Sequence, residues 1–123
     1  MDIAIHKKSS LENKELNLAT HIKNYLQYGF NENITMETLE KRFYRSKSQI
    51  TKIFKAAYNI TPYAYLIDIR IQLAKDLLGT TKKPINEIAE YLLFSSEYHF
   101  SASFKKKVGI SPREYRKSLE NSN

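Results

Sequence analysis

The chain resembles itself at an offset of 50 residues. Identical or chemically similar residues recur at this offset: Phe54 with Phe104, Ile60 with Ile110, Thr61 with Ser111, Pro62 with Pro112, and Tyr65 with Tyr115. Asn59 falls on Gly109, and these are the two residue types that best tolerate a positive φ. Only two copies fit within 123 residues, so the repeat predicts a duplicated supersecondary unit rather than a solenoid.

Glycines and prolines mark where the helices end and begin. Gly29, Gly79 and Gly109 each follow a helical pattern, where a left-handed residue commonly ends a helix. The candidate N-caps Thr61 and Ser111 each precede a proline that opens a helix. No stretch alternates in the period of a strand. The sequence predicts an all-α fold that begins with an N-terminal tail over residues 1–13. About seven helices are expected to follow it, over residues 14–28, 36–43, 47–57, 62–78, 84–92, 97–108 and 112–119.

Each copy of the repeat contains a short helix, a tight turn and a second helix. Apolar residues at positions 85, 88, 89 and 92 form one stripe on the first helix of the C-terminal copy. Phe100 and Phe104 face inward from the next helix, as Phe54 does in the N-terminal copy, which predicts core phenylalanines rather than stacking platforms for bases. Such a helix pair is typical of a helix-turn-helix motif, whose second helix enters the major groove of DNA.

The chain carries 20 lysines and arginines against 13 acidic residues, a net charge of +7. Residues 41–55 hold six cations and no carboxylate, and residues 105–117 hold six cations and one carboxylate. Because the enrichment recurs beside both second helices, it favours double-stranded DNA as the partner. The outward residues of these helices are short or polar, as suits a groove about 12 Å wide: Ser48, Gln49, Thr51 and Lys52 in the first, and Glu97, Tyr98, Ser101 and Ala102 in the second.

Several function classes find no support in the sequence. The absence of cysteine excludes disulfides, thiolate chemistry and cysteine-based zinc sites. His6, His21 and His99 lie far apart without the spacing of metal ligands, so no metal is expected. No phosphate loop, catalytic triad or carboxylate pair is present, which predicts a protein without enzymatic activity or cofactor. No apolar run reaches the ~18–20 residues that a membrane span needs.

Many spaced positions match one known pattern, which covers roughly residues 14–119. Its residues are Ile88-Ala89, Phe94-Ser95, Phe104-Lys105 and Gly109-Ile110-Ser111-Pro112 in the C-terminal half, and Phe54-Lys55, Thr61-Pro62, Tyr65-Leu66 and Arg70 in the N-terminal half. The chain thus resembles the DNA-binding domain of the AraC/XylS family of bacterial transcription regulators. The resemblance implies helix-turn-helix subdomains over residues 14–61 and 79–123, joined by a linker helix over residues 62–78.

The resemblance also implies which residues meet DNA. Base contacts are expected from Ser48, Thr51 and Lys52 with Gln49 beside them, and from Glu97, Tyr98, Ser101 and Ala102 in the second recognition helix. Phosphate contacts are expected from Arg45, Lys47, Lys55, Ser96 and Lys105. The chain departs from the family pattern in three places: Glu40 stands where a small alanine is usual, Leu93 where a glycine is usual, and Ala102 where an arginine is often found. We therefore expect sharper base discrimination by the first recognition helix than by the second.

Taken with the resemblance, these residues predict a sequence-specific, cytoplasmic transcription regulator that inserts two recognition helices into successive major grooves. Two alternatives stay open: a non-catalytic protein-interaction module, and the DNA-binding fragment of a larger regulator controlled by a ligand or by phosphorylation. The expected partners are double-stranded DNA and RNA polymerase, with no membrane. The chain is expected to bind DNA as a monomer or through a domain that it lacks.

Overall fold

The computed structural model describes residues 3–121, with side chains from residue 12 onward. This part of the chain contains seven helices and no strand, which confirms the predicted all-α fold. The helices are α1 (Ile3–Tyr28), α2 (Met36–Phe43), α3 (Lys47–Tyr58), α4 (Pro62–Thr80), α5 (Ile85–Tyr91), α6 (Glu97–Val108) and α7 (Pro112–Asn121).

Helix α1 is longer than predicted. It begins at Ile3 rather than at residue 14, so the helix start implied by a tail over residues 1–13 is wrong. No glycine or proline interrupts residues 3–28, and a helix anchored by its packed half can extend along residues of adequate helix propensity. Residues 12–17 are all exposed, and Ala19 is the first buried residue of the helix from residue 12 onward. Burial therefore fixes the C-terminal part of α1.

The first of two compact units comprises Met1–Gly29 and Ile34–Tyr65. In it, α1 and α2 both pack against α3. Tyr25 of α1 meets Phe43 of α2 edge to face, with ring centroids 5.8 Å apart. The buried side chains of the unit include Ile22, Leu26, Leu39, Ile50 and Phe54. The predicted core position of Phe54 is confirmed.

The second unit comprises Phe30–Asn33 and Leu66–Asn123. Its core joins α4, α5 and α6 through the buried residues Ile71, Ala74, Leu78, Ile88, Ala89, Leu92, Phe94, Phe100 and Phe104. Phe100 and Phe104 are fully buried, as predicted. Residues 62–65 of α4 belong to the first unit and its other residues to the second. A separate linker segment over residues 62–78 stays a prediction.

Helices α3 and α6 end at residues that are equivalent in the 50-residue repeat. Asn59 and Gly109 both adopt the left-handed conformation that ends their helices, with φ of 58° and 101°. The helices that follow are capped as predicted. Thr61 Oγ1 accepts a hydrogen bond from the amide of Ala64, and Ser111 Oγ accepts one from the amide of Glu114. Equivalent residues thus form equivalent turns in the two copies.

The other two predicted glycine caps are wrong. Neither Gly29 nor Gly79 has a positive φ, and α4 continues through Gly79 to Thr80. Gly29 is instead required because neighbouring atoms leave no room for a side chain. A Cβ atom there would lie 2.9 Å from the carbonyl oxygen of Tyr25 and 2.9 Å from Cδ1 of Ile34. A bulkier residue would push the chain away from this close approach.

Candidate nucleic-acid interface

The first helix-turn-helix consists of α2, a short turn and α3. Thr35 caps α2 through a reciprocal pair of hydrogen bonds with Thr38. Helix α2 ends at Tyr44, which has the left-handed φ of 55° and an 86% exposed side chain. This strained tyrosine was not anticipated from the sequence, because left-handed positions normally favour glycine or asparagine. The backbone amide of Tyr44 donates to the carbonyl of Glu40 at 3.0 Å, which closes the end of α2 despite the unfavourable residue type.

Helix α3 has a buried side and an exposed side. Ile50 and Phe54 are fully buried against the other helices of the unit. Among the predicted base-contact residues, Ser48, Gln49 and Lys52 are exposed and Thr51 is half-buried. Because residues three and four apart share one helix face, positions 48, 51 and 52 form a single outward surface. We call Ser48, Thr51 and Lys52 the α3 reading face.

The start of α3 is closed by a capping box between Ser46 and Gln49. Ser46 Oγ accepts a hydrogen bond from the Gln49 amide at 3.2 Å. In return, Gln49 Oε1 accepts from the amide of Ser46 at 3.1 Å and from its hydroxyl at 3.2 Å. The box satisfies backbone donors that have no partner within the helix. The side chain of Gln49, which was predicted to contact bases, is therefore engaged with the helix itself.

The predicted phosphate contacts near α3 are exposed. Lys47 and Lys55 make no ion pair or hydrogen bond through their side chains in the part of the chain that the structure describes, and neither does Lys52. Arg45 donates from Nη1 to the carbonyl of Tyr44, which keeps it beside the turn. Arg42, in contrast, stacks its guanidinium over the ring of Tyr25 at 5.2 Å. The free cations thus lie on α3, whereas Arg42 helps to pack α2.

The second helix-turn-helix consists of α5, a longer turn and α6. Leu93, which replaces the usual glycine, has φ of 64° in this turn. The backbone amide of Phe94 donates to the carbonyl of Ala89 at 3.0 Å, and the Phe94 ring packs against Phe100. Ser96 then caps α6 by accepting from the amide of His99 at 3.0 Å. Buried aromatic contacts offset the strain at Leu93.

The outer side of α6 carries the second set of predicted base contacts. Glu97, Tyr98 and Ala102 are exposed, and Ser101 is half-buried. Tyr98 is 84% exposed, so its ring is accessible to a partner. His99 lies differently, because its Nδ1 pairs with Ser95 Oγ at 3.2 Å and its ring packs edge-on against Phe94.

Two cations counted in the C-terminal basic region serve the fold. Lys107 Nζ lies 3.1 Å from Asp68 Oδ2 on α4. Arg116 donates from Nε to the carbonyl of Leu78 and from Nη2 to that of Thr81, and so joins α7 to the end of α4. Lys105 and the neighbouring Lys106 are exposed. The role of Lys105 as a phosphate contact stays a prediction, whereas the side chains of Lys107 and Arg116 have partners within the unit.

No cluster of histidine and acidic side chains that could hold a metal ion is found among the described residues. Nor is any helix within the described range long and apolar enough to cross a membrane. The residues predicted to contact DNA lie on α3 and α6 and on the turns that precede them. These surfaces are the candidate interface.

Comparison with known proteins supports this assignment. A family model described as a helix-turn-helix domain matches residues 39–118, the greater part of the chain. The chain is 33% identical over 95 residues to the probable transcriptional regulator LumQ of Photobacterium leiognathi. This aligned region covers 77% of this chain and 38% of LumQ. It spans less than half the length of each of eight curated relatives that it matches.

Solved structures show the same fold. The DNA-binding domain of the global transcriptional factor AdpA, in complex with a target DNA, is 25% identical with a TM-score of 0.79, covering 85% of this chain and 95% of that one. A probable AraC family transcriptional regulator from Rhodopseudomonas palustris CGA009 is 26% identical with a TM-score of 0.76, covering 84% of this chain and 97% of that one. The matched region, the relatives and the shared fold place this chain in the AraC/XylS family of helix-turn-helix proteins.

Proposed function

We propose that the chain binds double-stranded DNA sequence-specifically, as the DNA-binding portion of a bacterial transcription regulator. The observation that carries the proposal is the pair of capped helices α3 and α6. They occupy equivalent places in the repeat and expose polar outer surfaces. The AdpA domain, which shares the fold, was solved in complex with a target DNA. The same surface of this chain would enter the major groove.

Base recognition falls mainly on α3. Lys52 can donate to O6 and N7 of guanine, and Ser48 and Thr51 can donate to or accept from base edges. The partly buried side chain of Thr51 also offers its methyl group to the methyl of thymine. Arg45, Lys47 and Lys55 flank this face and would bind phosphates, which fixes the register of the helix without reading sequence.

Helix α6 offers a weaker set of base contacts. Glu97 can accept from N4 of cytosine, but its charge is repelled by the phosphates. Tyr98 and Ser101 can form hydrogen bonds, whereas Ala102 offers only a methyl group to a thymine. Ser96 and Lys105 would bind phosphates beside it. The second half of the binding site is therefore recognised with less dependence on its base sequence.

Because the chain contains two recognition helices, a monomer can occupy two half-sites in successive major grooves, about one DNA turn apart. The target then needs no palindrome. If this chain is the DNA-binding portion of a larger regulator, another domain of that protein would add dimerisation or control by a ligand or by phosphorylation. RNA polymerase is the proposed protein partner, the bacterial cytoplasm is the proposed location, and no catalytic step is involved.

Selection of bound sequences from a random duplex pool, followed by footprinting, tests the proposal. We expect one enriched sequence and a protected region that spans two adjacent major grooves. Binding to the selected site should weaken steeply as salt is raised, because each phosphate contact displaces condensed counterions. Failure to enrich any sequence, or binding that is insensitive to salt, would favour a protein-interaction module instead.

A further inference from the structure

Gln49 lies in the first turn of α3, and its side chain is exposed. Glutamine recognises adenine by accepting a hydrogen bond from N6 while donating one to N7. Gln49 Oε1 already accepts two hydrogen bonds, from the amide and from the hydroxyl of Ser46. A carbonyl oxygen has two lone pairs, so this acceptor is saturated. Adenine could engage both ends of the amide only if the capping box opened.

Breaking the capping box would release the start of the helix that carries the α3 reading face. Ser46 is the N-cap and Gln49 the third helical residue, so the box spans the first turn of α3. Ser48 lies within that turn, and Thr51 and Lys52 lie on the next one. Loss of such a cap frays the first turn and moves these side chains away from a fixed geometry. The box therefore controls the angle at which three predicted base contacts approach DNA.

Helix α6 provides an internal comparison. Ser96 caps it by accepting from the amide of His99, which forms the first half of a capping box. The imidazole of His99, at the position of Gln49, pairs with Ser95 Oγ instead of returning to the Ser96 amide. Of the two recognition helices, only α3 thus has the reciprocal arrangement.

We propose that Gln49 is a positioning residue of the DNA-reading surface, which fixes the first turn of α3 and does not itself recognise a base. The inference rests on the proposed DNA binding. It differs from the assignment drawn from the sequence, in which Gln49 contacts adenine. Its consequence is specific: the identity of the residue at position 49 matters through its acceptor oxygen and not through its amide donor.

Two variants of similar size separate these roles. Gln49→Glu keeps an acceptor for the Ser46 amide and places a negative charge at a helix N-terminus, where it is favourable. It cannot donate to N7 of adenine. Gln49→Leu removes both the acceptor and the donor. Each full chain would be measured against the selected site and against every single base-pair substitution of that site.

We expect Gln49→Glu to retain the discrimination pattern of the wild type, with an affinity lowered uniformly across sequences by its charge. Gln49→Leu should weaken discrimination together at all base pairs under the α3 reading face, by about two- to tenfold each. Amide hydrogen exchange supplies a readout without DNA. The Ser46 amide should stay protected in Gln49→Glu and lose protection in Gln49→Leu.

Loss of discrimination at one A·T pair alone in both variants would overturn the proposal and identify Gln49 as a base reader. Unchanged protection of the Ser46 amide in Gln49→Leu would also overturn it. A wild-type chain without any sequence preference would overturn the proposed function, and this inference with it. The exchange measurement separates the two failures, because it reports the capping box whether or not DNA binds.

Discussion

Arg70 donates a hydrogen bond from Nε to the backbone oxygen of Phe30, 3.1 Å away and 40 residues earlier in the chain. Its Nη2 donates to the carbonyl of Glu32 at 3.2 Å. Only 5% of Arg70 is exposed. The segment that follows α1 is thereby tied to α4, which explains why Phe30–Asn33 belongs to the second unit while its flanking residues belong to the first.

Replacement of Arg70 by methionine should lower the free energy of unfolding by about 2–4 kcal/mol, because two carbonyls lose charge-assisted hydrogen bonds. Chemical denaturation measures the change. Arg113→Met is the matched control, since Arg113 is exposed, and it should change stability by less than about 0.5 kcal/mol. Equal losses in both variants would contradict the structural role of Arg70.

The left-handed Leu93 should make a glycine favourable at this position. Leu93→Gly and Leu93→Ala both remove the side chain, but only glycine relieves the backbone strain at φ of 64°. We expect the glycine variant to be more stable than the alanine variant by about 1 kcal/mol. Thermal or urea unfolding of the two compares them directly. An alanine variant that matches or exceeds the glycine variant would show that this backbone is unstrained.

Lys105 and Lys107 should differ in their effect on DNA binding, although both lie near the end of α6. Both lysines are exposed, but Lys107 Nζ lies 3.1 Å from Asp68 Oδ2, whereas Lys105 is the one expected to bind phosphate. Lys105→Ala should reduce the slope of log affinity against log salt by about 0.9, the value for one phosphate contact. Lys107→Ala should leave the slope nearly unchanged. Equal reductions would mean that Lys107 leaves Asp68 for the DNA.

Most of the fold could be predicted from the sequence, because the conformation of a turn depends mainly on the few residues within it. Asn59 and Gly109 are each followed by an N-cap residue and a proline. These residues predict the ends of α3 and α6 to within one residue of their positions in the structure. The start of α1 could not be predicted in the same way, since no glycine, proline or capping pattern marks it in the sequence. Tyr44 could not be predicted either, because its residue type disfavours the left-handed conformation that it adopts.

The candidate site was predicted less completely than the fold. Sequence patterns identified which residues are exposed on α3 and α6, since buried and outward positions alternate with the helical period. They could not show which polar groups were already engaged. Lys107 finds its partner 39 residues away, and Arg116 finds a carbonyl 38 residues away. A run of cations looks uniform in sequence, whereas in three dimensions only some of its charges remain free.

Lys52 and Lys55 should separate base reading from phosphate binding. Lys52 lies on the α3 reading face, and Lys52→Ala should cost ~1–3 kcal/mol at the preferred site and relax discrimination at one base pair. Lys55→Ala should weaken preferred and random DNA alike and reduce the salt slope by about 0.9. Titration of each variant against both DNAs at several salt concentrations measures this. Indistinguishable behaviour of the two variants would refute the assignment of roles.

The two halves of the binding site should differ in how strongly they discriminate bases. Helix α3 presents Ser48, Thr51 and Lys52, all able to bond to base edges, from a first turn fixed by a capping box. Helix α6 presents Glu97, which phosphates repel, and Ala102, which has no hydrogen-bonding group. We therefore expect sharp preference in the half-site under α3, at ~1–3 kcal/mol per substituted base pair.

Under α6 we expect weaker preference, in which phosphate contacts and DNA deformability contribute most of the discrimination. Systematic substitution of each base pair in the selected site measures both halves in one experiment. Ala102→Arg provides the complementary gain, because a guanidinium at this exposed position can reach guanine O6 and N7. It should raise discrimination in the second half-site and leave the first unchanged. Equal discrimination by the wild type in both halves, or stronger discrimination under α6, would refute the asymmetry while leaving the fold and the family assignment intact.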